Sequence, residues 1–135
     1  MAMAKKLEGA GLRGQIAGKT ALSTVGKTGS GLTYRGYDVK DLAEHCQFEE
    51  VAHLLVHGAL PTASQLAAYK TKLKRLRGLP AIVTDALELV PANAHPMDVL
   101  RTGCSVLGVV LPERDGHPVN EARDIADRLM ASFGS

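Results

Sequence analysis

Two histidines four residues apart, His53 and His57, are the first candidates for chemistry, because that spacing puts two imidazoles on one face of a helix, as a metal ion needs. Leu54, Leu55 and Val56 lie between them, however. No glutamate follows His53, as a zinc-hydrolase helix would require, and no third ligand is evident. They read as histidines at a core edge or surface, and no metal site is expected. His95 precedes Pro96 at a helix start, where capping and packing are commoner roles than catalysis. Cys46 and Cys104 have apolar neighbours and no adjacent cation, so they read as inert thiols. Gly26-Lys27-Thr28 matches the end of a phosphate-binding loop. Ala21 stands where the earlier glycine of that motif belongs, and a strand follows instead of a helix, so a hairpin turn is expected. Lys70, Lys72, Lys74, Arg75 and Arg77 form a basic helix face that could meet phosphates or a carboxylate. A solvated face is the ordinary outcome for such a run. No nucleophile–base pair, paired carboxylate or metal cluster emerges, so these residues define no complete active site.

Composition narrows the classes further. The formal net charge of +2 gives no field that would gather nucleic acid or an anionic membrane. The apolar run Val99 to Leu111 contains Arg101 and falls short of the ~20 residues a bilayer span needs. Two cysteines in helical, apolar surroundings give no disulfide framework, and no signal segment opens the chain. The expectation is a cytoplasmic protein whose core is filled mainly by aliphatic side chains.

The elements that must position these residues follow from pattern. Residues 1–19 carry Gly9, Gly11, Gly14 and Gly18 and read as an extended arm, since each glycine costs about 1 kcal/mol inside a helix. Residues 20–37 read as a short β-hairpin, with Thr20 to Val25 and Leu32 to Tyr37 flanking a glycine-rich loop. Helices fill residues 38–135. Asp38 caps a helix to Cys46 whose inner face is Leu42, Ala43 and Cys46. Phe48 to His57 follows, with Val51, Leu54 and Leu55 inward and Gly58 as its stop. Thr62 and Gln65 have capping-box spacing before a stripe of Leu66, Tyr69, Leu73 and Leu76, and Gly78 ends that helix. Pro80 opens a helix through Val90. Ala94 to Val110 is a further helix with apolar residues on nearly every side and Pro96 at its first position. Gly103, Cys104, Ser105 and Gly108 on it are small enough to admit a neighbouring helix. After a loop from Leu111 to Val119, Asn120 caps a last helix striped by Ala122, Ile125, Ala126, Leu129, Met130 and Phe133.

The order of these segments carries a resemblance. Gly18-Lys19-Thr20-Ala21-Leu22-Ser23-Thr24-Val25-Gly26-Lys27 leads to Leu32-Thr33-Tyr34-Arg35-Gly36-Tyr37-Asp38-Val39-Lys40-Asp41-Leu42-Ala43. Phe48-Glu49-Glu50-Val51-Ala52-His53-Leu54-Leu55, Gly58-Ala59-Leu60-Pro61-Thr62 and His95-Pro96-Met97-Asp98-Val99-Leu100-Arg101-Thr102 follow. From about Leu12 to Ser135 this series resembles the beginning of the citrate synthase family, and within it the bacterial 2-methylcitrate synthases.

The resemblance implies an all-α fold: the N-terminal part of the family's large domain, with an extended arm and a short hairpin before the helices. It implies a homodimeric acyltransferase that condenses propionyl-CoA or acetyl-CoA with oxaloacetate, the methylcitrate branch serving propionate catabolism. The acyl-CoA is a substrate, and no permanent cofactor, nucleic acid or membrane is implied. In the family an aspartate removes the acyl α-proton, one histidine stabilises the enol and a second assists attack on the keto acid. Those residues lie in segments beyond this stretch. His45, His53, His57, His95 and His117 all precede them, so no catalytic residue is expected here and the 135-residue chain alone is expected to be inactive. Some relatives place a substrate-contacting arginine where Lys74 stands, although a lysine lacks the bidentate fork. The helix opened by His95 becomes a dimer-contact helix, with Met97, Leu100, Arg101, Gly103, Cys104, Val106, Leu107 and Gly108 as its interface residues. The competing expectations are a non-catalytic helical dimerisation module and, less favoured, a nucleic-acid binder using the basic face.

Overall fold

A computed structural model describes residues 18–26, 31–113 and 115–135. Most of the expected arm, residues 1–17, and the middle of the glycine-rich loop, residues 27–30, lie outside the described residues.

The hairpin becomes a three-stranded antiparallel sheet in the order β1 (Ser23–Val25), β2 (Leu32–Tyr34) and β3 (Tyr37–Asp38). Ser23 pairs with Tyr34 and Val25 with Leu32, while Thr33 pairs with Asp38. The extra strand arises because Arg35 and Gly36 turn back sharply instead of extending β2. Both have positive φ, 47° and 94°, the pattern of a two-residue hairpin turn whose twist matches its strands. The Arg35 side chain ties this sheet to the helices by donating from its terminal nitrogen to the Leu55 carbonyl at 3.1 Å.

The helices start and stop largely where their local signals stand. α1 (Val39–His45) is capped by the Asp38 carboxylate, which accepts from the Lys40 N–H at 2.8 Å. Of its expected inner face only Leu42 is buried; Ala43 is exposed. α2 (Phe48–His57) begins with a capping box between Gln47 and Glu50 and ends at Gly58, whose φ of 98° a glycine adopts without strain. α3 (Ala63–Leu76) begins with the Thr62–Gln65 capping box. α4 (Ala81–Glu88) follows Pro80. α5 (Pro96–Val110) has His95 as its cap, the ring Nδ1 accepting from the Met97 N–H at 3.2 Å. α6 (Val119–Ser132) starts one residue before the expected cap: Pro118, not Asn120, occupies that position. Proline ends the loop by fixing its own φ and offers no side-chain acceptor.

Packing divides five of the helices into two groups, while α1 lies against β2 and β3. Ala52, Tyr69, Leu73 and Ala131 form a core among α2, α3 and α6, with Leu76 and Met130 against it. α4 lies on α5, where Leu87 carbons stand 3.6 Å from the position of a Cβ on Gly103. The expected stripe of α6 is rotated from the core. Asp127, Ala131 and Ser132 are its buried residues, while Ala122 and Phe133 are exposed. A carboxylate at the centre of a helix interface needs charged and hydrogen-bonding partners, and those partners make the site.

Candidate functional site

Asp127 has no solvent-exposed surface, and three side chains serve its carboxylate. The Tyr69 hydroxyl donates to Oδ1 at 2.6 Å. The Lys72 ammonium donates to Oδ2 at 2.6 Å and to Asp124 Oδ1 at 2.7 Å. His57 Nε2 lies 3.3 Å from the same Oδ2, and because a carboxylate only accepts, Nε2 carries the hydrogen. Tyr69 and Lys72 are three apart on α3 and therefore share a face, as do Asp124 and Asp127 on α6.

The histidine pair completes the cluster. The His53 and His57 rings stack with centroids 4.6 Å apart, and Tyr69 meets both edge-on at 5.2 and 5.3 Å. His53 Nδ1 donates to the Ala59 carbonyl at 2.8 Å, which fixes its orientation. The two imidazoles are thus stacked and individually bonded, an arrangement unlike the convergent nitrogens of a metal site. Among the described residues no group of three His, Cys, Asp or Glu side chains is placed to hold a metal ion.

The surroundings set the protonation of the cluster. Burial holds His57 below the usual histidine range; Asp127 pulls it up, and His53 and Lys72 push it down. Burial, then the bond to Asp127 and its charge, raise the Tyr69 phenol far above the usual tyrosine value. Burial opposes the Lys72 ammonium, yet its bonds to Asp124 and Asp127 outweigh that and keep its pKa raised. The hydrogen bond from Lys72, then its charge, lowers Asp124. A neutral histidine, a protonated phenol and a charged lysine around a carboxylate form a satisfied structural network at neutral pH.

Sequence reading placed His53 and His57 on one face correctly but assigned Lys72 to a solvated run. The structure makes Lys72 an ion-pair partner, and Lys70 donates to the Gln47 side chain at the surface. Asp127 was missed because it interrupts an apolar stripe; its three-residue spacing from Asp124, facing Tyr69 and Lys72, was the available signal.

The other candidates are placed as follows. Lys74 and Arg75 are exposed in the last turn of α3, and Arg77 is exposed at its cap. Arg75, Arg77 and Arg128 rim a hollow of about 340 Å³. A larger groove of about 660 Å³ separates α5 from α6, lined by Leu107, Ile125, Leu129 and Phe133 with His117, Glu121 and Arg128 at its polar margin. Of the residues expected at a dimer contact, Met97, Leu100, Arg101 and Gly108 are exposed. Gly103 turns toward Leu87, Leu107 is buried, and Cys104 and Val106 are half-buried. Arg101 pairs with Asp98 at 3.0 Å. Cys46 and Cys104 are free thiols and half-buried. No helix is long and apolar enough to cross a membrane, among the described residues.

The family pattern described as "Citrate synthase, C-terminal domain" matches residues 11–135. The chain belongs to the citrate synthase family. It is 66% identical over all of its 135 residues to a 2-methylcitrate synthase of Shewanella oneidensis, covering 35% of that protein. Its fold superposes on the citrate synthase of Thermotoga maritima with a TM-score of 0.76 at 33% identity, covering 92% of this chain and 31% of that one. The fold is also that of the Thermoplasma acidophilum citrate synthase solved with carboxymethyl coenzyme A and oxaloacetate, at a TM-score of 0.78 and 24% identity, covering 87% of this chain and 31% of that one. The chain therefore spans about a third of the length of the relatives it matches. Mostly helical architecture with a small leading sheet agrees with the fold class read from the sequence, with a three-stranded sheet in place of the hairpin.

Proposed function

We propose that this chain is the N-terminal part of a cytoplasmic 2-methylcitrate synthase, which condenses propionyl-CoA with oxaloacetate to give 2-methylcitrate and CoA in propionate catabolism. The observation that carries this reading is the 66% identity, over the whole chain, to a relative bearing that name. Citrate formation from acetyl-CoA is the neighbouring activity within the family.

In this reading the chain's own residues position and bind, and the proton transfers belong to the remainder of the enzyme. The exposed basic end of α3 supplies charge: Lys74, with Arg75 and Arg77 beside it, faces solvent without a carboxylate partner among the described residues. A cation there suits a dicarboxylate or the phosphates of an acyl-CoA, since charge-assisted bonds are the stronger class. Two copies associate through α5, whose Met97, Leu100 and Val109 are exposed apolar side chains in search of cover.

Purified 135-residue chain, incubated with propionyl-CoA and oxaloacetate while free CoA is followed, is expected to release none above the uncatalysed rate. Sustained turnover would show that the chain carries its own catalytic groups.

A further inference from the structure

Arg75, Arg77 and Arg128 meet at the hollow of about 340 Å³ where the end of α3 runs beside α6. The meeting follows from spacing. Lys72 stands three residues before Arg75 on α3, and Asp124 four residues before Arg128 on α6, so each pair shares a helix face. The Lys72–Asp124 ion pair that joins the two helices therefore also sets the two arginines on neighbouring faces. A second tie holds the edge of the hollow. The Gly78 N–H, in the turn after Arg77, donates to the Ser135 hydroxyl beyond α6 at 3.0 Å.

The lining of the hollow is one-sided in charge. It contains three guanidinium groups and no acidic side chain. None of the three makes an ion pair or donates a hydrogen bond, among the described residues. Most of the other walls are apolar, with Leu76, Leu79 and Pro80 on one side and Leu107 and Leu111 from the end of α5 on the other. Arg128 also borders the larger groove between α5 and α6, but Glu113, Glu121 and Asp124 stand there and would repel an anion.

The negative end of α3 accounts for cations at positions 75 and 77. It does not account for Arg128, which another helix brings to the same place. Three like charges gathered without a counter-charge are relieved by an anion. Guanidinium groups suit phosphate oxygens in pairs, and a phosphate offers acceptors in several directions where a carboxylate offers two in one plane. The apolar walls leave room for an uncharged body beside the phosphates.

We propose that this hollow binds a small organic phosphate, its phosphate groups held by Arg75, Arg77 and Arg128 and its apolar part resting on the leucines. Lys74 does not line the hollow, so the site is distinct from any contact made by that residue. Binding is a property of the folded chain and stands whether or not the enzyme reading holds.

Equilibrium dialysis of the full 135-residue chain against labelled ADP at low ionic strength tests it. Saturable binding of one ADP per chain is expected, with Kd below about 1 mM. Arg128→Gln and Arg77→Gln, each at an exposed position, should weaken it about tenfold or more. Lys74→Gln removes the same charge one residue from Arg75 and should change Kd less than about twofold. Pyrophosphate should displace ADP, and adenosine should not. Displacement by CoA supports the site with coenzyme A as its source; binding of ADP without that displacement supports it with a separate ligand. Absence of saturable binding, equal loss in Lys74→Gln and Arg128→Gln, or displacement by adenosine as effective as that by pyrophosphate overturns the proposal. Should Arg128→Gln fail to fold, Arg77→Gln against Lys74→Gln decides by the same criterion.

Discussion

The Tyr69 hydroxyl on α3 donates a 2.6 Å hydrogen bond to Asp127 on α6, a residue 58 positions further along the chain. That bond, with the Lys72 ion pair, joins the two helices that carry most of the core with α2. It also fixes the rotation of α6, because Asp127 can be buried only where its partners stand.

Tyr69→Phe keeps the ring and loses the bond, and is expected to cost about 2 kcal/mol, the range for a hydrogen bond to a charged group. Asp127→Ala is expected to cost about 2 kcal/mol or more, because it leaves the buried Tyr69 hydroxyl without its acceptor, while Lys72 keeps Asp124. The double variant should cost less than the sum, since both changes remove one shared bond. Urea denaturation of the three variants measures this; strict additivity would show the contact to be energetically idle.

At high pH the cluster should weaken the fold. Burial and Asp127 raise the Tyr69 phenol, and Lys72 is raised by its carboxylate partners against the opposing effect of burial. A raised folded-state value means that stabilisation is complete below the ordinary value of about 10 and declines as pH climbs above it, because the unfolded chain releases its proton first. Denaturation midpoints measured upward from neutral pH should therefore drop beyond that point, and Tyr69→Phe should drop less steeply. A midpoint unchanged well above pH 10 would contradict the assignment.

Gly58→Ala is expected to destabilise by about 1 kcal/mol. The cause is backbone strain at φ 98°, for the nearest atoms to an added Cβ are those of the Arg35 guanidinium at 3.9 Å, an ordinary contact. Thermal denaturation checks the loss, and Gly58→Asn should recover part of it because asparagine tolerates the left-handed region.

Gly103 separates two explanations of the small-residue stretch on α5. An added Cβ there meets Leu87 of α4 at 3.6 Å, a normal separation, so Gly103→Ala should fold normally. Gly103→Leu needs the space of Leu87 and is expected to cost about 1–3 kcal/mol by prising α4 from α5. Stability lost without loss of α4–α5 exchange protection would argue that the clash lies elsewhere.

Leu100 addresses association instead of folding. It is exposed on α5, as are Met97 and Val109. Leu100→Glu should leave the melting of a dilute sample nearly unchanged and shift sedimentation toward the monomer. Identical sedimentation of the two proteins would remove α5 from the association surface.

Much of this was readable from sequence because it is local. Asp38, Gly58, Thr62 and Pro96 act within a turn of themselves, so the helix ends they mark fall where expected. The missing pieces are those that depend on distant partners. Ala43 and Ala122 obey the apolar period yet stand in solvent, because the partner surface decides which face is covered. Lys72 and Asp127 are each unremarkable in a helix, and only the meeting of α3 with α6 turns them into a buried pair. Arg35 and Gly36 hid a turn inside what reads as a continuing strand.

This chain is proposed to form one working part of a 2-methylcitrate synthase. Replacing the matched residues of the Shewanella oneidensis enzyme with this chain, and following CoA release from propionyl-CoA and oxaloacetate, tests that most directly. The chimera is expected to fold and to keep a kcat within about tenfold of the parent, a barrier change of roughly 1.4 kcal/mol or less. A chimera that folds and associates as the parent does, yet releases no CoA, would contradict it.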